Sequence, residues 1–284
     1  MAQLLAVSVN QVLEELGALN PRSAMGDYLC DAWGNSAAQI KAITLRIGEA
    51  QDEFEKNLEI YLFQTRVVTT PITAGKVFGT DYDVVQDGYP YSRLDFSQYA
   101  TVYMRKRPII SVSQASLRYG NTYDVLAAAT FPQPWVTPQA RIGVLHILPL
   151  LGNNSSISAG SLLLLPLISS VMPGNLTVPL IFSIDYTAGF LPIDFDPDTD
   201  DAYSAAPDFP VKNLLRGVKY MAAANVLRAV RRAIAPGGGS LNMGGAGQSW
   251  SANMFGPDIE DYDAKAAAIL QEWYGMFPLK MFSM

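Results

Sequence analysis

PIISVSQASLRYGN (Pro108–Asn121) is answered some way along the chain by FSIDYTAGF (Phe182–Phe190). Both stretches are rich in β-branched and aromatic residues, and both run into glycine, so each reads as a β-strand closed by a turn. Neither carries an obvious catalytic group. Between them lies a large insert, and around them lie more segments of the same kind. FQTRVVTTPI (Phe63–Ile72), YATVYMRK (Tyr99–Lys106) and RIGVLHIL (Arg141–Leu148) are short, β-branched or aromatic, and bounded by Gly, Pro, Asn and Asp. The pattern predicts about six to eight strands between residues 64 and 190, and a barrel or sandwich in preference to a parallel βαβ sheet.

On both sides of this region the period changes to that of helices. Ser8 and Gln11 form a capping-box pattern, Val12, Leu13 and Leu16 follow as an apolar edge, and Gly17 and Pro21 stop a helix expected over 8–18. A second such pattern, Ser36 with Gln39, opens a helix expected over 36–63. There Ile40, Ile43, Ile47, Phe54, Leu58, Tyr61 and Leu62 form one stripe, with Glu49, Asp52, Glu53, Lys56 and Glu59 elsewhere on the wheel. Such a helix would be about 40 Å long and needs a partner of similar length.

A third helix is expected after Asp208 as N-cap and Pro210 in the first turn. Its apolar stripe moves. Leu214, Leu215, Val218, Met221 and Ala222 share one face, but Val226, Leu227, Val230 and Ile234 lie about 120° round. Either the helix bends or its halves face different neighbours. Arg228, Arg231 and Arg232 share one side of its last turns, where cations favour the negative helix end. PGGGSLNMGGAGQSW (Pro236–Trp250) reads as a flexible glycine-rich loop. A last helix starts at Pro257, and an aromatic, Met-rich tail, WYGMFPLKMFSM (Trp273–Met284), closes the chain.

The fold class expected is therefore α+β: a helical bundle built from both ends of the chain, with an antiparallel β barrel or sandwich-like domain inserted in it. The bundle is assigned to 1–63 and 202–272, the β domain to 64–193, an acidic linker to 194–201, and a docking tail to 273–284.

With 284 residues, 49% of them apolar and 16% charged, the chain can bury a sizeable core. A net charge of −6 makes the whole chain a poor nucleic-acid binder. The one cysteine, Cys30, excludes an internal disulfide and a cysteine-rich zinc site, and reads as a buried small side chain. The one histidine, His146, reads as structural, and no signal peptide is expected at the start. SLLLLPLISSVMPGNLTVPLIF (Ser161–Phe182) is interrupted by Pro166, Pro173 and Pro179, and reads as short buried strands, not a span. Asp194, Asp196, Asp198 and Asp200 have a calcium-loop spacing, but Thr199 and Ala205 stand where the loop needs Gly and Glu. No phosphate loop, nucleophile elbow or zinc-protease motif occurs, so no cofactor, metal or catalytic residue is assigned.

Four blocks carry a family resemblance: Arg107–Val112 (RPIISV), Leu117–Asn121 (LRYGN), Ile184–Phe190 (IDYTAGF), and Pro210–Ala224 leading into an alanine-rich helix. In this order, with a glycine-rich turn and a final helix behind them, the chain resembles the head–tail adaptor, or head-completion, proteins of tailed bacteriophages. The resemblance implies a structural virion protein at the head–tail interface, made in the host cytoplasm. It implies a ring of copies, usually twelve, between the portal protein and the next tail or neck component, with DNA only as passing cargo and no membrane. It implies portal docking through the tail residues Trp273, Tyr274, Met276, Phe277, Leu279, Met281 and Phe282. A ring would also give the rotated stripe a neighbour, with inter-subunit contacts at Val226, Leu227, Val230 and Ile234 and at Arg228, Arg231 and Arg232. The segment Pro132–Pro179 departs from the family's pattern by its length and its Pro, Leu and Ser content.

Other readings stand beside this one. The chain is another neck, tail or baseplate subunit, or a ligand-binding β module on a helical stalk that stacks ligands on Tyr89, Tyr91, Tyr119 or Trp135. An enzyme would draw a carboxylate pair from Asp81, Asp83, Asp87 and Asp95.

Overall fold

A computed structural model describes residues 4–19, 23–69, 76–92, 100–117, 129–130, 136–139, 143–147, 177–200, 210–234, 239–243, 246–250 and 254–276. The architecture is α+β, and the chain divides into two compact units. One is made of Met1–Leu58 with Leu191–Met284, the other of Glu59–Phe190.

The first unit contains helices α1 (Val9–Glu15), α2 (Ala24–Trp33), α3 (Ser36–Leu58), α4 (Val211–Ile234) and α5 (Gly256–Met276). The Ser8–Gln11 capping box forms as expected: Ser8 Oγ accepts from Gln11 N–H at 3.1 Å, and Gln11 Oε1 accepts from Ser8 N–H at 3.3 Å. Helix α4 is the axis of the unit, since α1, α2, α3 and α5 all pack on it. A helix surrounded in this way must be apolar on more than one face. Leu214 and Val218 are buried on one side, and Val226, Leu227 and Val230 on another. The rotation of the stripe is thus satisfied within one chain. Gly217 favours the close packing: a Cβ there would lie 2.6 Å from Phe54 Cζ and 3.0 Å from Ile269 Cγ2, so a side chain at 217 would push the α3 and α5 side chains away from the α4 backbone.

Several local expectations are corrected. Helix α3 ends at Leu58, because Glu59 turns to a positive φ of 53°. Its amino-terminal cap is Asn35, whose Oδ1 accepts from Ala38 N–H at 3.0 Å. The Gln39 side chain instead donates to Gly34 O (3.0 Å) and Cys30 Sγ (3.2 Å). Ile40, placed in the buried stripe, is exposed, because the first turns of α3 carry almost no cover. Cys30 is exposed as well: α2 buries Gly26 and Leu29, and the cysteine stands one position off that edge. Helix α2 itself has no counterpart among the sequence expectations, although Ser23 caps it and Gly34, at φ 76°, ends it. Asp208 lies outside the described residues; the Pro210 carbonyl accepts from Asn213 and Leu214 N–H at the start of α4. The glycine-rich segment is not simply a loop, since β10 (Gly239–Met243) pairs antiparallel with β11 (Ala246–Trp250).

The second unit holds β1 (Thr65–Thr69), β2 (Val84–Gln86), β3 (Tyr89–Ser92), β4 (Ala100–Tyr103), β5 (Ile109–Leu117), β6 (Ala129–Thr130), β7 (Val136–Gln139), β8 (Val144–Ile147) and β9 (Thr177–Ala188). The opening pair of stretches becomes β5 and β9, which lie antiparallel with Val112 opposite Tyr186 and Ser116 opposite Ser183. β9 is the spine of the larger sheet, ordered β2-β1-β9-β5-β6, with β3 also pairing β9. The smaller sheet is ordered β4-β8-β7. Val102 and Leu145 from the smaller sheet share one core with Val67, Ile109, Phe182, Ile184 and Tyr186 of the larger. The pairing is antiparallel except between β1 and β2, which run parallel with Val67 opposite Val84. That departs from the antiparallel expectation, and the connection 70–83 is long enough for the return that a parallel pair needs. Among the described residues no helix is long and apolar enough to cross a membrane.

Candidate functional site

Two of the four carboxylates that sequence reasoning offered for chemistry, Asp81 and Asp83, are placed by their partners. Arg66 leaves β1 and grips Asp83: its backbone N–H and Nε donate to Asp83 Oδ2 (2.9 and 3.0 Å), and its Nη2 donates to Oδ1 (3.0 Å). The same guanidinium donates to the carbonyls of Thr80 and Gly79. The hydrogen bonds from Arg66 hold the Asp83 carboxyl below the usual carboxylate range, and Asp83 in turn raises Arg66. Asp81 Oδ2 accepts from Val77 N–H at 2.7 Å, and Phe78 sets its ring edge-on to Tyr82 at 5.7 Å. These contacts make 77–83 a braced loop. Asp87 is exposed, and Asp95 lies outside the described residues.

On the spine strand, Asp185 is buried and doubly engaged. Its Oδ1 accepts from Thr69 N–H at 3.0 Å, and its Oδ2 meets Lys76 Nζ at 2.5 Å. The Ser183 and Thr69 hydroxyls hydrogen-bond beside it. Replacing Asp185 with alanine would leave a buried N–H and a half-buried ammonium without their acceptor. We expect the β unit to lose about 2–3 kcal/mol, read by urea denaturation. A loss under about 0.5 kcal/mol would show that the pair is only surface decoration.

Tyr89 does not offer a stacking surface, because its ring lies in the core. Its hydroxyl is 3.0 Å from Gln86 Oε1 and 3.3 Å from the Tyr186 hydroxyl, and burial pushes both phenols up. The Arg105 guanidinium covers the Tyr89 ring at 5.8 Å. Tyr119 and Trp135 lie outside the described residues, as does the Tyr91 side chain. His146 sits in β8 opposite Thr101 and Thr137 and is half-buried.

The proposed contact residues divide. Trp273 is fully buried within the helical unit, one and two turns beyond Ile269 and Ala266 on the same face of α5. It belongs to the core, and the docking role assigned to it is withdrawn, because α5 continues to Met276 and carries Trp273 inward. Tyr274 and Met276 are half-buried, while Phe277, Leu279, Met281 and Phe282 lie outside the described residues. Val226, Leu227 and Val230 are likewise core. Arg228 pairs with Asp263 of α5 and donates to Asn225 Oδ1 at 2.9 Å, which places it inside one copy. Ile234 and Arg231 are half-buried and Arg232 is exposed.

The acidic run 194–200 is an ordered turn. Asp196 Oδ1 and Oδ2 accept from Asp198 N–H and the Thr199 hydroxyl at 3.0 Å each, and Asp200 Oδ2 accepts from Asp196 N–H at 2.8 Å. Gln11 Nε2 ties the turn to α1 through Pro197 O at 2.7 Å. Among the described residues no group of acidic, histidine or cysteine side chains is placed to hold a metal ion.

What the fold defines is a two-unit α+β scaffold whose described polar groups largely brace their own loops and strands. No protein-family model matches the chain, and no curated protein matches it. Among solved structures it is similar to a chain of "Virion of native gene transfer agent (GTA) particle", at 13% identity and a TM-score of 0.37. The match covers 100% of this chain and 99% of that one. A likeness of that degree carries no argument for fold or role.

Proposed function

We propose that the chain is a structural virion protein, a head–tail adaptor that assembles as a ring between portal and tail and extends the DNA channel. The observation that carries the reading is where the resembling blocks fall. RPIISV and IDYTAGF open and close the paired strands β5 and β9, and the block from Pro210 builds α4, the helix on which the rest of its unit packs. The resemblance thus lies in the scaffold of both units, which is where a protein that works by shape carries its constraints. A net charge of −6 suits a channel that passes DNA without gripping its phosphates.

Negative-stain microscopy of native particles labelled against this chain tests position and symmetry together. The expected result is a ring of label at the capsid vertex, between portal and tail. Label on fibres or baseplate, or a solitary copy, overturns the reading.

A further inference from the structure

Two apolar features among the described residues face water although each sits on hydrogen-bonded backbone. One is the tip of the 77–83 loop, where the consecutive side chains Val77 and Phe78 are 57% and 60% exposed. A slack loop would tuck such a pair away. This one is held open by the Arg66 guanidinium on the carbonyls of Gly79 and Thr80, by Asp81 on Val77 N–H, and by Gly79 N–H donating to Tyr82 O at 2.7 Å. A rigid apolar projection loses little conformational freedom on docking, which is the property of an interface anchor. The other feature is the amino-terminal half of α3. Ile40 and Leu45 are each 53% exposed there, with Ala37 and Ala38 beside them.

The charges at the two places are opposite. Around the loop tip the carboxylates of Asp81 and Asp83 stand against one guanidinium, that of Arg66, whereas 36–45 carries the exposed Lys41 and no carboxylate. We propose that the Val77–Phe78 tip of one copy docks on the amino-terminal half of α3 of the next. Both surfaces are present in every copy and they are unlike, so the contact is heterologous, the kind that builds a ring when its rotation closes and a filament when it does not. The proposal rests on the ring reading above and names the contact that would build it. It also replaces Val226, Leu227 and Val230 of α4 as the source of subunit cohesion, since those three are covered within one chain.

The test uses full-length chains in the Cys30→Ser background, assembled with the portal. One tagged copy carries Phe78→Cys and a differently tagged copy carries Leu45→Cys, and a short bis-maleimide joins thiols that come close. The expected product is a linked pair made of one of each tag, with like-tagged pairs at least tenfold rarer. A second variant, Phe78→Glu, alters a side chain that is 60% exposed and gives up its ring contact with Tyr82; it is expected to lower ring yield at least tenfold while circular dichroism stays native. Rings that form without the mixed cross-link, or that tolerate Phe78→Glu, overturn the contact and leave the ring standing. Unaltered chains that form no ring with the portal overturn the adaptor reading and this contact with it.

Discussion

Gly189→Ala is expected to be the most damaging single-methyl change in the β unit, costing about 3 kcal/mol or more. Two independent costs coincide. Gly189 adopts φ +134°, a conformation that residues with a Cβ rarely adopt. An added Cβ would also lie 2.2 Å from Phe63 O and 2.7 Å from Gln64 N, and these are backbone atoms that cannot rotate aside. The site matters because the spine strand ends there: Gly189 N–H donates to Pro108 O at 3.2 Å, and Phe190 N–H to Leu62 O at 3.1 Å. Relieving the clash would part both links. Gly34→Ala supplies the comparison, since Gly34 has φ +76° with open space around its Cβ position, so only the backbone cost of about 1–3 kcal/mol remains. Urea denaturation followed by circular dichroism reads both variants. Equal losses would mean that the steric term is absent.

The second large effect belongs to Trp273→Ala, for which we expect a loss of about 3–5 kcal/mol from the helical unit. Trp273 has no exposed surface and closes the same apolar face of α5 as Ile269. A tail that docks on a portal has to begin beyond it. Truncation at Trp273 would therefore unfold part of the bundle and say nothing about docking. Removing 277–284 is the informative deletion: portal association should be lost while the thermal melt of the helical unit stays within a degree or two. Should Trp273→Ala leave stability intact yet abolish portal binding, the indole would be a contact residue after all, and the assignment to the core would fall.

The strands were legible because their composition and punctuation are local. The β-branched runs of 109–117 and 177–188 end at turn residues, and they pair with each other as strands of one sheet. The Ser8 capping box was legible for the same reason, needing only residues three apart. Features that depend on a neighbour from elsewhere in the chain were not. Helix α2 is short and modestly apolar, and it is held chiefly by packing on α4 and α3. The β10–β11 hairpin was hidden by its glycines, although Gly244-Gly245 between two short runs is itself a hairpin signal. The choice of Asn35 over Ser36 as the cap of α3 turned on where the Gln39 amide found an acceptor, at Gly34 O.

The candidate contacts divide along the same line. That α4 has two apolar faces could be read from Leu214, Val218, Val226 and Val230 alone. Whether a second copy or the chain's own helices cover the second face could not, because periodicity reports that a face is buried and not by what. Only the tertiary structure put α1, α2, α3 and α5 around α4, drew Trp273 and Arg228 inside one copy, and left Val77, Phe78, Ile40 and Leu45 in water. Amino-acid order determined the α+β class and most of the elements, since those follow from a chain's preferences over a few residues. Which apolar side chains remain for a partner is decided by long-range packing, because exposure is what is left after every distant segment has taken its place.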